Sequence, residues 1–566
     1  MIFRVKVWTN GQRLVGGLYL FALFWLTACG TSEVRPFPTA VSTHTQPLTP
    51  PPTPSLALPL PTGELPPTPA IPGVLPATAT ATAVPPITLS ADPDVPQDLV
   101  RAAQAFAAQN RTFAWAEGDA ADVQLTLADG APLANWVYVV AAPFATVPDE
   151  ISLAEVQNKW QQGGAVFATN EVAVLGQPSP TITFSADVAE LSELAWAERP
   201  SLLILPFDAL QPDLKLLRLD GVSPLVPDFD PASYPLTLAV NLVGEETAVA
   251  QFLTAWDGPT TNWDASQLTR VALSGVTALT RSTGYHMEIF GVLAPGRDVG
   301  PVLQTADIAH ISNEVSFSPN CPVPSPIGGT SFCSRETYFE LLTWLGVDVV
   351  ELTGNHLNDF GTQAMLHSLD LYAAAGIPVY GGGADAVSAQ APALFEHNGN
   401  RIALIGCNPF GPPYAWAGPT KPGARPCDAE FEGQIRQLAD DGYLVLATLQ
   451  YDEFYHYQAT AQQRKDFAEV IAAGATAVSG SQAHHAQGFA FVDGKFVHYG
   501  LGNLFFDQMD RLGTRQTFVD TYVIYNGRLL SVELWTGLIE NYCCPREMSA
   551  AEREAVLTAV FQASDW

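Results

Sequence analysis

An asparagine, a histidine and an aspartate follow a short apolar run near the middle of the chain. The run, Val347 to Leu352, is rich in β-branched residues and predicts a strand buried in a parallel sheet. Asn355, His356 and Asp359 come directly after it. Because α/β folds bind ligands beyond the carboxyl ends of their strands, these side chains are candidates for metal binding and proton transfer. The alternative is a strand-to-helix turn in which Asn355 caps the helix and His356 lies on the surface.

Three further predicted strands end in acidic, amide or histidine side chains. These candidate ligands are Glu314 after one strand, Gln450 and Glu453 after another, and Gln482 and His484 after a third. If the sheet is parallel, all of these groups converge at one edge. Carboxylate, amide and imidazole groups that converge from separate strands suit a divalent metal. His485, next to the last of them, is interpreted as a solvated loop residue.

The region that carries these groups alternates between strands and helices, as expected of an α/β domain with much parallel sheet. The predicted strands are Leu273–Leu279, Ala306–Glu314, Arg401–Gly406, Tyr443–Gln450, Ala475–Ser479 and Phe496–Gly500. The predicted helices are Tyr338–Leu345, Ala364–Ala375, Thr460–Ala473 and a terminal one near Ala550–Ala563. An apolar stripe that includes Leu557, Val560 and Phe561 predicts that the terminal helix packs on the core.

Four motifs occur in order in this region. They are Leu352-Thr-Gly-Asn-His-Leu-Asn-Asp-Phe-Gly361, Gly376-Ile with Gly381-Gly-Gly383, Ala473-Gly-Ala-Thr-Ala-Val-Ser-Gly480, and Tyr499-Gly-Leu-Gly-Asn-Leu-Phe-Phe-Asp507. In these motifs the segment from about Arg270 to Gln508 resembles the CapA-type proteins of poly-γ-glutamate capsule synthesis. The first and last motifs are the most specific. The resemblance implies a calcineurin-like metallophosphoesterase fold and a metal-dependent hydrolase or transferase.

The resemblance also implies roles for individual residues. By position, Asn355 and His356 match the pair that faces metal and phosphate. Glu314 matches the strand-end acid of the family, and His484 matches the second histidine of its His-x-His motif. We therefore expect His356 and Asp359 to be catalytic. The expected metal ligands are Glu314, Asn355, Gln450, Glu453, Gln482 and His484, and the expected cofactor is a divalent metal, as one or two ions.

Three positions depart from the family pattern. Val276 stands where the family has a first-strand aspartate, and Gln450 and Gln482 stand where it has histidines. Amide oxygens are weaker ligands than carboxylate or imidazole, so a site for two metals is weakened. Asp452 and Glu453 could supply ligands for one harder cation such as calcium or magnesium. Alternatively, the amides form a hydrogen-bonded polar cleft without metal.

The first 29 residues predict export. Three basic residues precede an apolar stretch from Leu14 to Trp25, as in a signal peptide. Leu26-Thr-Ala-Cys29 resembles a bacterial lipobox, in which the cysteine is lipidated and becomes the mature N-terminus. We expect an extracytoplasmic lipoprotein anchored to the membrane at Cys29; the alternative is an uncleaved signal anchor. Residues 30–86 are rich in Pro and Thr and predict a disordered stalk.

Residues 87–267 precede the motif-bearing region and also alternate between strands and helices. A buried strand is predicted from Trp136 to Ala142, and a helix is predicted to begin after Ser152. This region resembles the substrate-binding domains of bacterial uptake systems; the alternative is a generic α/β domain that has lost its ligand. The predicted fold class is α/β, with this domain followed by a CapA-like domain, residues 268–540, and a C-terminal helix, residues 541–566.

An exported chain can form disulfides, and seven cysteines are present. Cys321 with Cys333, and Cys407 with Cys427, are the expected local bridges, although spacing does not fix the pairing. The adjacent Cys543-Cys544 pair is expected to have separate partners or to stay free. A thiolate zinc site is not expected, because the sequence has no Cys-x-x-Cys pair.

The net charge of the chain limits the classes of partner that it is expected to bind. The chain carries 26 Lys and Arg against 57 Asp and Glu, and this acidity argues against nucleic acid. Two hypotheses remain open. In the first, the chain is an exported, lipid-anchored enzyme that works with the capsule machinery through a modified metal site. In the second, it is a non-catalytic surface lipoprotein that binds a cell-envelope polymer or a solute.

Overall fold

The computed structural model describes residues 85–116, 121–327, 329 and 332–566. The predicted signal peptide, Cys29 and almost all of the predicted stalk lie outside these residues. In the described part of the chain, no helix combines the length and hydrophobicity that a membrane span requires.

The first region, up to about residue 267, is built on one mixed sheet. Its strands are β1 (Ile87–Ala91), β2 (Phe113–Trp115), β3 (Val123–Thr126), β4 (Ala131–Pro143), β5 (Glu150–Ile151), β6 (Val166–Ala168), β7 (Thr183–Phe184), β8 (Leu202–Pro206), β9 (Leu214–Leu216), β10 (Arg218–Leu219) and β11 (Thr237–Gly244). The order in the sheet is β2-β1-β3-β11-β4-β8-β6-β7, with β9 beside β4, while β5 and β10 pair separately. The strand predicted at Trp136 is confirmed as the buried half of β4.

Four helices accompany this sheet. They are α1 (Gln97–Gln109), α2 (Leu153–Gln162), α3 (Val188–Ala197) and α4 (Glu246–Ala255). The predicted start of α2 is confirmed, because the Ser152 side chain accepts a hydrogen bond of 3.2 Å from the backbone N–H of Glu155. Trp160 of this helix is fully buried against the sheet. The region is therefore an α/β unit, as predicted.

The second region contains two larger sheets. Its strands are β12 (Leu268–Ser274), β13 (Val276–Thr277), β14 (Ile308–Asn313), β15 (Phe317–Ser318), β16 (Ser334–Arg335), β17 (Val349–Glu351), β18 (Val379–Tyr380), β19 (Gly382–Gly383), β20 (Ala393–His397), β21 (Asn400–Cys407), β22 (Gly423–Ala424), β23 (Leu444–Gln450), β24 (Ala477–Ser481), β25 (Phe489–Val492), β26 (Lys495–His498), β27 (Asn503–Phe505), β28 (Gln516–Tyr525), β29 (Arg528–Glu540) and β30 (Cys544–Glu547). One sheet has the order β18-β17-β14-β12-β28-β29-β30, with β13 beside β14 and β27. The other has the order β20-β21-β23-β24-β26-β25.

These two sheets pack face to face. Buried side chains of both contribute to one hydrophobic core, among them Leu273 of β12, Tyr522 of β28, Leu404 of β21 and Leu446 of β23. The strands before the candidate ligands therefore belong to two sheets. The expectation that all of them end at one edge of a single parallel sheet is wrong. The sequence pattern shows each buried strand but not which strands are neighbours.

The described residues of this region form eight α-helices. They are α5 (Arg281–Phe290), α6 (Gly300–Gln304), α7 (Phe339–Trp344), α8 (Thr362–Ala375), α9 (Ala429–Asp440), α10 (Ala461–Ala472), α11 (Leu512–Arg515) and α12 (Ala550–Gln562). Helices α7, α8, α10 and α12 confirm the four predicted ones within two residues. The predicted apolar stripe of α12 is buried in the core shared by the two sheets.

The β28–β29 hairpin joins the two regions. Its turn, Asn526-Gly527, has positive φ at both residues, which is the geometry of a tight two-residue hairpin turn. Val523, Tyr525 and Leu530 of this hairpin are buried in the hydrophobic core of the first sheet. The described residues belong to one compact unit, Thr82–Trp566, in which the two regions share a core.

All six cysteines of the described residues are paired. The two expected bridges, Cys321–Cys333 and Cys407–Cys427, are confirmed. The expectation for the remaining pair is wrong, because Cys543 bonds to its neighbour Cys544. Asn541 and Tyr542, directly before this bridge, have positive φ, so the chain turns sharply there.

Candidate functional site

Each candidate ligand lies at or just after the carboxyl end of a strand, and these strand ends meet. Glu314 follows β14 and the Asn355-His356 pair follows β17, in one sheet, while Gln450 ends β23 and Gln482 follows β24, in the other. Gln450 Nε2 lies 3.5 Å from Glu314 Oε1 and also donates to Gln482 Oε1. The site therefore forms where the carboxyl ends of strands from two packed sheets meet.

His356 is held by Asp359. Nδ1 of His356 donates a hydrogen bond of 2.6 Å to Asp359 Oδ2, and the hydroxyl of Tyr414 donates to Asp359 Oδ1 at 3.1 Å. With its proton on Nδ1, the neutral ring has Nε2 as an acceptor. Burial by itself lowers the pKa of His356, but the hydrogen bond to Asp359 and the charge of Glu314 outweigh it and raise the pKa above its ordinary value. The group can therefore accept and hold a proton at Nε2.

His484 is oriented in the same way by an amide. Its Nδ1 donates a hydrogen bond of 2.7 Å to Oδ1 of Asn503. Asn503 is fixed in turn, because its Nδ2 donates to the carbonyl oxygens of His484 and Thr514 at 3.2 and 2.9 Å. Nε2 of the buried His484 is thus also an acceptor, and a partner that fixes the tautomer is typical of metal-binding histidines.

The two histidines are linked through an arginine between two phenylalanines. This group, which we call the aromatic stack, consists of His356, Phe332, Arg281, Phe506 and His484. The His356 and Phe332 rings are 4.0 Å apart, and the His484 and Phe506 rings are 5.0 Å apart. The guanidinium carbon of Arg281 lies 4.8 Å from Phe332 and 5.0 Å from Phe506. The stack places a permanent positive charge between the histidines, where contact with aromatic rings stabilises it.

Arg281 is anchored at the start of α5. Its guanidinium pairs with the carboxylate of Asp507, with Nε to Oδ2 at 3.1 Å, and the same oxygen accepts the backbone N–H of Ser282 at 3.1 Å. Because an arginine head group has further donors, it can still contact an anionic ligand.

Two buried side-chain oxygen atoms of the site are of the kind that divalent cations prefer. Oε2 of Glu314 and Oδ1 of Asn355 are buried and have no hydrogen-bond donor in the described residues. Buried acceptors are rarely left unpaired, and both are oxygens of the kind that hard divalent cations prefer. Together with Nε2 of His484, these atoms would hold one metal ion, which would supply a Lewis acid to the site.

A second metal does not fit the residues present. Gln450 and Gln482 bind each other through their side chains, and Ser481 Oγ donates to Gln450 Oε1 at 2.8 Å. Val276 is a fully buried aliphatic residue of β13. Between residues 85 and 566, the described positions contain no group of three or more His, Cys, Asp or Glu that could hold a metal. A cation here would therefore depend on an amide oxygen.

The backbone around the site is conformationally restricted. Arg281, Gln482 and His484 all have φ near +50° to +74°, a region that side-chain-bearing residues rarely adopt. Gly354 is required by a close approach, since a Cβ there would lie 2.6 Å from Cα of Glu314. Rare backbone conformations of this kind concentrate at functional sites.

The remaining candidates differ from these in burial and in role. Glu453 is exposed and bonds to the hydroxyl of Tyr455, and its Oε1 lies 4.0 Å from Nε2 of His484. Asn355 does not cap a helix, because α8 begins at Thr362 after Gly361. The interpretation of His485 as a solvated residue is wrong: it is buried against Gly513, and burial lowers its pKa. It is therefore a packing residue next to the site.

Sequence reasoning missed five residues that build the site. They are Arg281, Phe332, Asn503, Phe506 and Asp507. Three of them lie in the specific Tyr499–Asp507 motif, and this motif is the feature of the sequence from which they could have been predicted. Its Asn orients one histidine, its second Phe stacks on that histidine, and its Asp holds the arginine.

Comparison with known proteins identifies the segment that contains the site. Residues 270–508 match the family model described as bacterial capsule synthesis protein PGA_cap. A probable polyglutamine synthesis accessory protein of Mycobacterium tuberculosis is 28% identical over 190 residues, which are 31% of this chain and 50% of the relative. The PGA biosynthesis protein CapA of Bacillus subtilis is 25% identical over 171 residues, which are 30% of this chain and 45% of the relative. The chain thus spans about half the length of the curated relatives it matches.

Solved structures are similar at a lower level. A 5′-nucleotidase precursor from Thermus thermophilus has a TM-score of 0.31 and 14% identity, covering 51% of this chain and 58% of its own. An ABC-type phosphate transport receptor from Vibrio cholerae has a TM-score of 0.26 and 11% identity, covering 30% of this chain and 92% of its own. Scores in this range carry no argument about function.

Proposed function

We propose that the chain acts in the synthesis or attachment of a capsule polymer of the poly-γ-glutamate type, because residues 270–508 match the family model described as bacterial capsule synthesis protein PGA_cap. The polymer class comes from the names of the relatives. The proposed location is outside the cytoplasm, with Cys29 lipidated and anchored in the membrane. In that place the chain would work beside the machinery that assembles the capsule.

The observation that carries this proposal is the matched orientation of the two histidines. Asp359 and Asn503 each bind the Nδ1 of one histidine, so that both rings have Nε2 as the acceptor. His356, with its raised pKa, would hold or transfer a proton at Nε2. His484, with Glu314 and Asn355, would hold one divalent cation that polarises a carbonyl or phosphoryl oxygen. We propose a metal-assisted hydrolase or transferase.

Two cationic groups of the site could contact an anionic substrate, although each of them is paired with a carboxylate. Arg281 contributes a permanent positive charge, and His356 is easily protonated because its pKa is raised. A poly-γ-glutamate chain carries one free carboxylate on each residue, and arginine recognises carboxylates well.

A second function is favoured by a different observation. Gln450 and Gln482 bind each other where the family pattern has histidines, and Val276 replaces an aspartate. A cleft held together by amides could bind the polymer without reacting with it. In this alternative the chain is a surface lipoprotein that retains an envelope polymer, while residues 87–267 bind a solute or partner.

Incubation with the polymer separates the two functions. The full chain is mixed with poly-γ-glutamate, and both binding and the length of the polymer are followed. We expect the polymer to bind and its length to change with the wild type and with His367→Ala, which alters an exposed histidine of α8 that pairs with Glu336. His356→Ala should bind the polymer and leave its length unchanged. Binding without any change of length, even in the wild type, would favour the retention function.

A further inference from the structure

A second cavity, distinct from the site above, lies between the first sheet region and the β28–β29 hairpin. Its volume is about 260 Å³, and no residue of the aromatic stack lines it. Its charged lining residues are Lys215, Arg218, Arg270, Arg553, Asp149, Glu533 and Glu547. Four cations thus face three carboxylates, in a chain with 26 Lys and Arg against 57 Asp and Glu. The cavity lining is thus richer in cations than the chain as a whole, although Arg218 also lies 3.6 Å from Glu150, a carboxylate outside the lining.

One carboxylate in this cavity, that of Asp149, forms ion pairs with two cations. Nζ of Lys215 lies 2.5 Å from Oδ1 of Asp149, and Arg553 binds the same carboxylate through Nε and NH2 at 2.7 and 2.8 Å. All three side chains are largely buried. Nζ of Lys215 also donates to the carbonyl oxygens of Thr146 and Val147 at 3.0 and 3.1 Å. Those bonds satisfy its donors but carry no charge, so two cations share one carboxylate and an anion would balance the remaining positive charge.

The neighbouring ion pair has an unused donor. NH2 of Arg270 donates to Oε2 of Glu533 at 3.0 Å, whereas Nε of Arg270 is buried and has no acceptor in the described residues. Burial raises the pKa of Glu533 even though Arg270 lies beside it, so Glu533 is a weak counterion. A buried N–H donor without an acceptor is rare in folded proteins and is a sign of a missing partner.

We propose that this cavity binds a small oxyanion, a carboxylate or a phosphate, through Arg270 and the surplus positive charge around Asp149. The volume is near the lower end of the range for small-molecule pockets and suits a ligand of amino-acid size. The residues come from both regions of the molecule: Lys215 and Arg218 from the first, and Arg270 and Arg553 from the second. A bound anion would therefore join the two regions.

The binding test uses the full chain with two probes, L-glutamate and inorganic phosphate, in separate calorimetric titrations. Divalent cations are first removed from the protein and the buffers with a chelating resin, so that the other site makes no metal-dependent contribution and no soluble polycarboxylate competes with the probes. We expect one of the two anions to bind, or both, and the comparison shows which source of the oxyanion the cavity prefers. If neither binds the wild type, the proposal is overturned.

Two variants make the test specific to the cavity. Glu533→Gln removes a carboxylate that competes for Arg270, and we expect anion affinity to rise several-fold. Arg270→Gln combined with Glu533→Gln removes the donor and its counterion together, and affinity should fall about tenfold or more, the typical cost of a lost charged hydrogen bond. Lys465→Gln, on the exposed face of α10, serves as the control and should bind like the wild type.

Two results would contradict the binding of an oxyanion in this cavity. Unchanged affinity in the double variant would overturn the proposal, because the binding would then lie elsewhere. If the double variant does not fold, Glu533→Gln alone decides the matter: equal or weaker binding than the wild type contradicts the cavity as the site.

Discussion

The chemistry at the residue scale depends on which nitrogen of each histidine carries the proton. A carboxylate fixes His356 and an amide fixes His484, and in both cases Nδ1 is the donor. The two environments differ in charge. Asp359 favours the protonated ring, whereas Asn503 has no charge with which to do so. One histidine is thereby suited to proton transfer and the other to metal binding.

The His356–Asp359 pair predicts a dependence of stability on pH. The pKa of His356 in the folded state is raised above its value in the unfolded state, about 6.5. The pair therefore contributes fully to the free energy of unfolding below about pH 6.5. This contribution is lost as the pH rises through the higher pKa of His356 in the folded state. Asp359→Asn should destabilise the chain by about 1 kcal/mol at pH 6 and by less at pH 9. Urea unfolding at both pH values measures this, and an effect that grows with pH would contradict it.

Gly354 predicts a steric effect on the site. A methyl group there would lie 2.6 Å from Cα of Glu314, so Gly354→Ala must displace the strand end that carries the acid. We expect a loss of about 1–3 kcal/mol of unfolding free energy, typical of overpacking. Gly433→Ala in α9 is the matched control, since nothing lies near its Cβ position and alanine favours a helix. Equal stability of the two variants in urea would refute the close approach.

At the scale of elements, the sequence predicted the parts of the site better than their arrangement. The apolar runs before Asn355, Gln450 and Gln482 are short and bounded by polar residues, so β17, β23 and β24 could be recognised. Their division between two sheets could not, because strand partners are set by contacts between distant segments. Arg281 was missed for the same reason: Asp507, its partner, lies 226 positions away.

The Tyr499–Asp507 motif predicts an effect transmitted through one side chain. Asn503→Ala removes the acceptor that orients His484, without touching the proposed cation. Loss of such a supporting partner typically lowers metal affinity about 10- to 100-fold. Competition with a chelator measures the change, with Asn241→Ala on β11 as a control far from the motif. An unchanged affinity in Asn503→Ala would show that His484 does not depend on this bond.

At the scale of the whole molecule, the two α/β regions are not independent. Val523, Tyr525 and Leu530 from the second region are buried in the core of the first, and Phe144 from the first is buried in the core of the second. Arg553 of α12 binds Asp149, 404 positions earlier. The alternation of predicted strands and helices indicated two α/β regions correctly, but it could not show this exchange of core residues.

The shared core predicts cooperative unfolding. Because each region lacks part of its core without the other, calorimetry of the folded chain should give one transition instead of two. Leu530→Ala should shift the whole transition to lower temperature, consistent with a loss of about 2–5 kcal/mol for a buried leucine. Two separated transitions, of which only one responds to Leu530→Ala, would show that the regions fold independently.

The proposed function requires one divalent cation held by Glu314, Asn355 and His484. The measurement that tests it most directly is the metal content of the purified full chain after dialysis against divalent cations. We expect about one ion per chain in the wild type and in His356→Ala, and almost none in Glu314→Gln or His484→Ala. His367→Ala should retain the wild-type content. No bound metal in the wild type, or full occupancy in both ligand variants, would contradict the account and leave the domain as a polymer-binding scaffold.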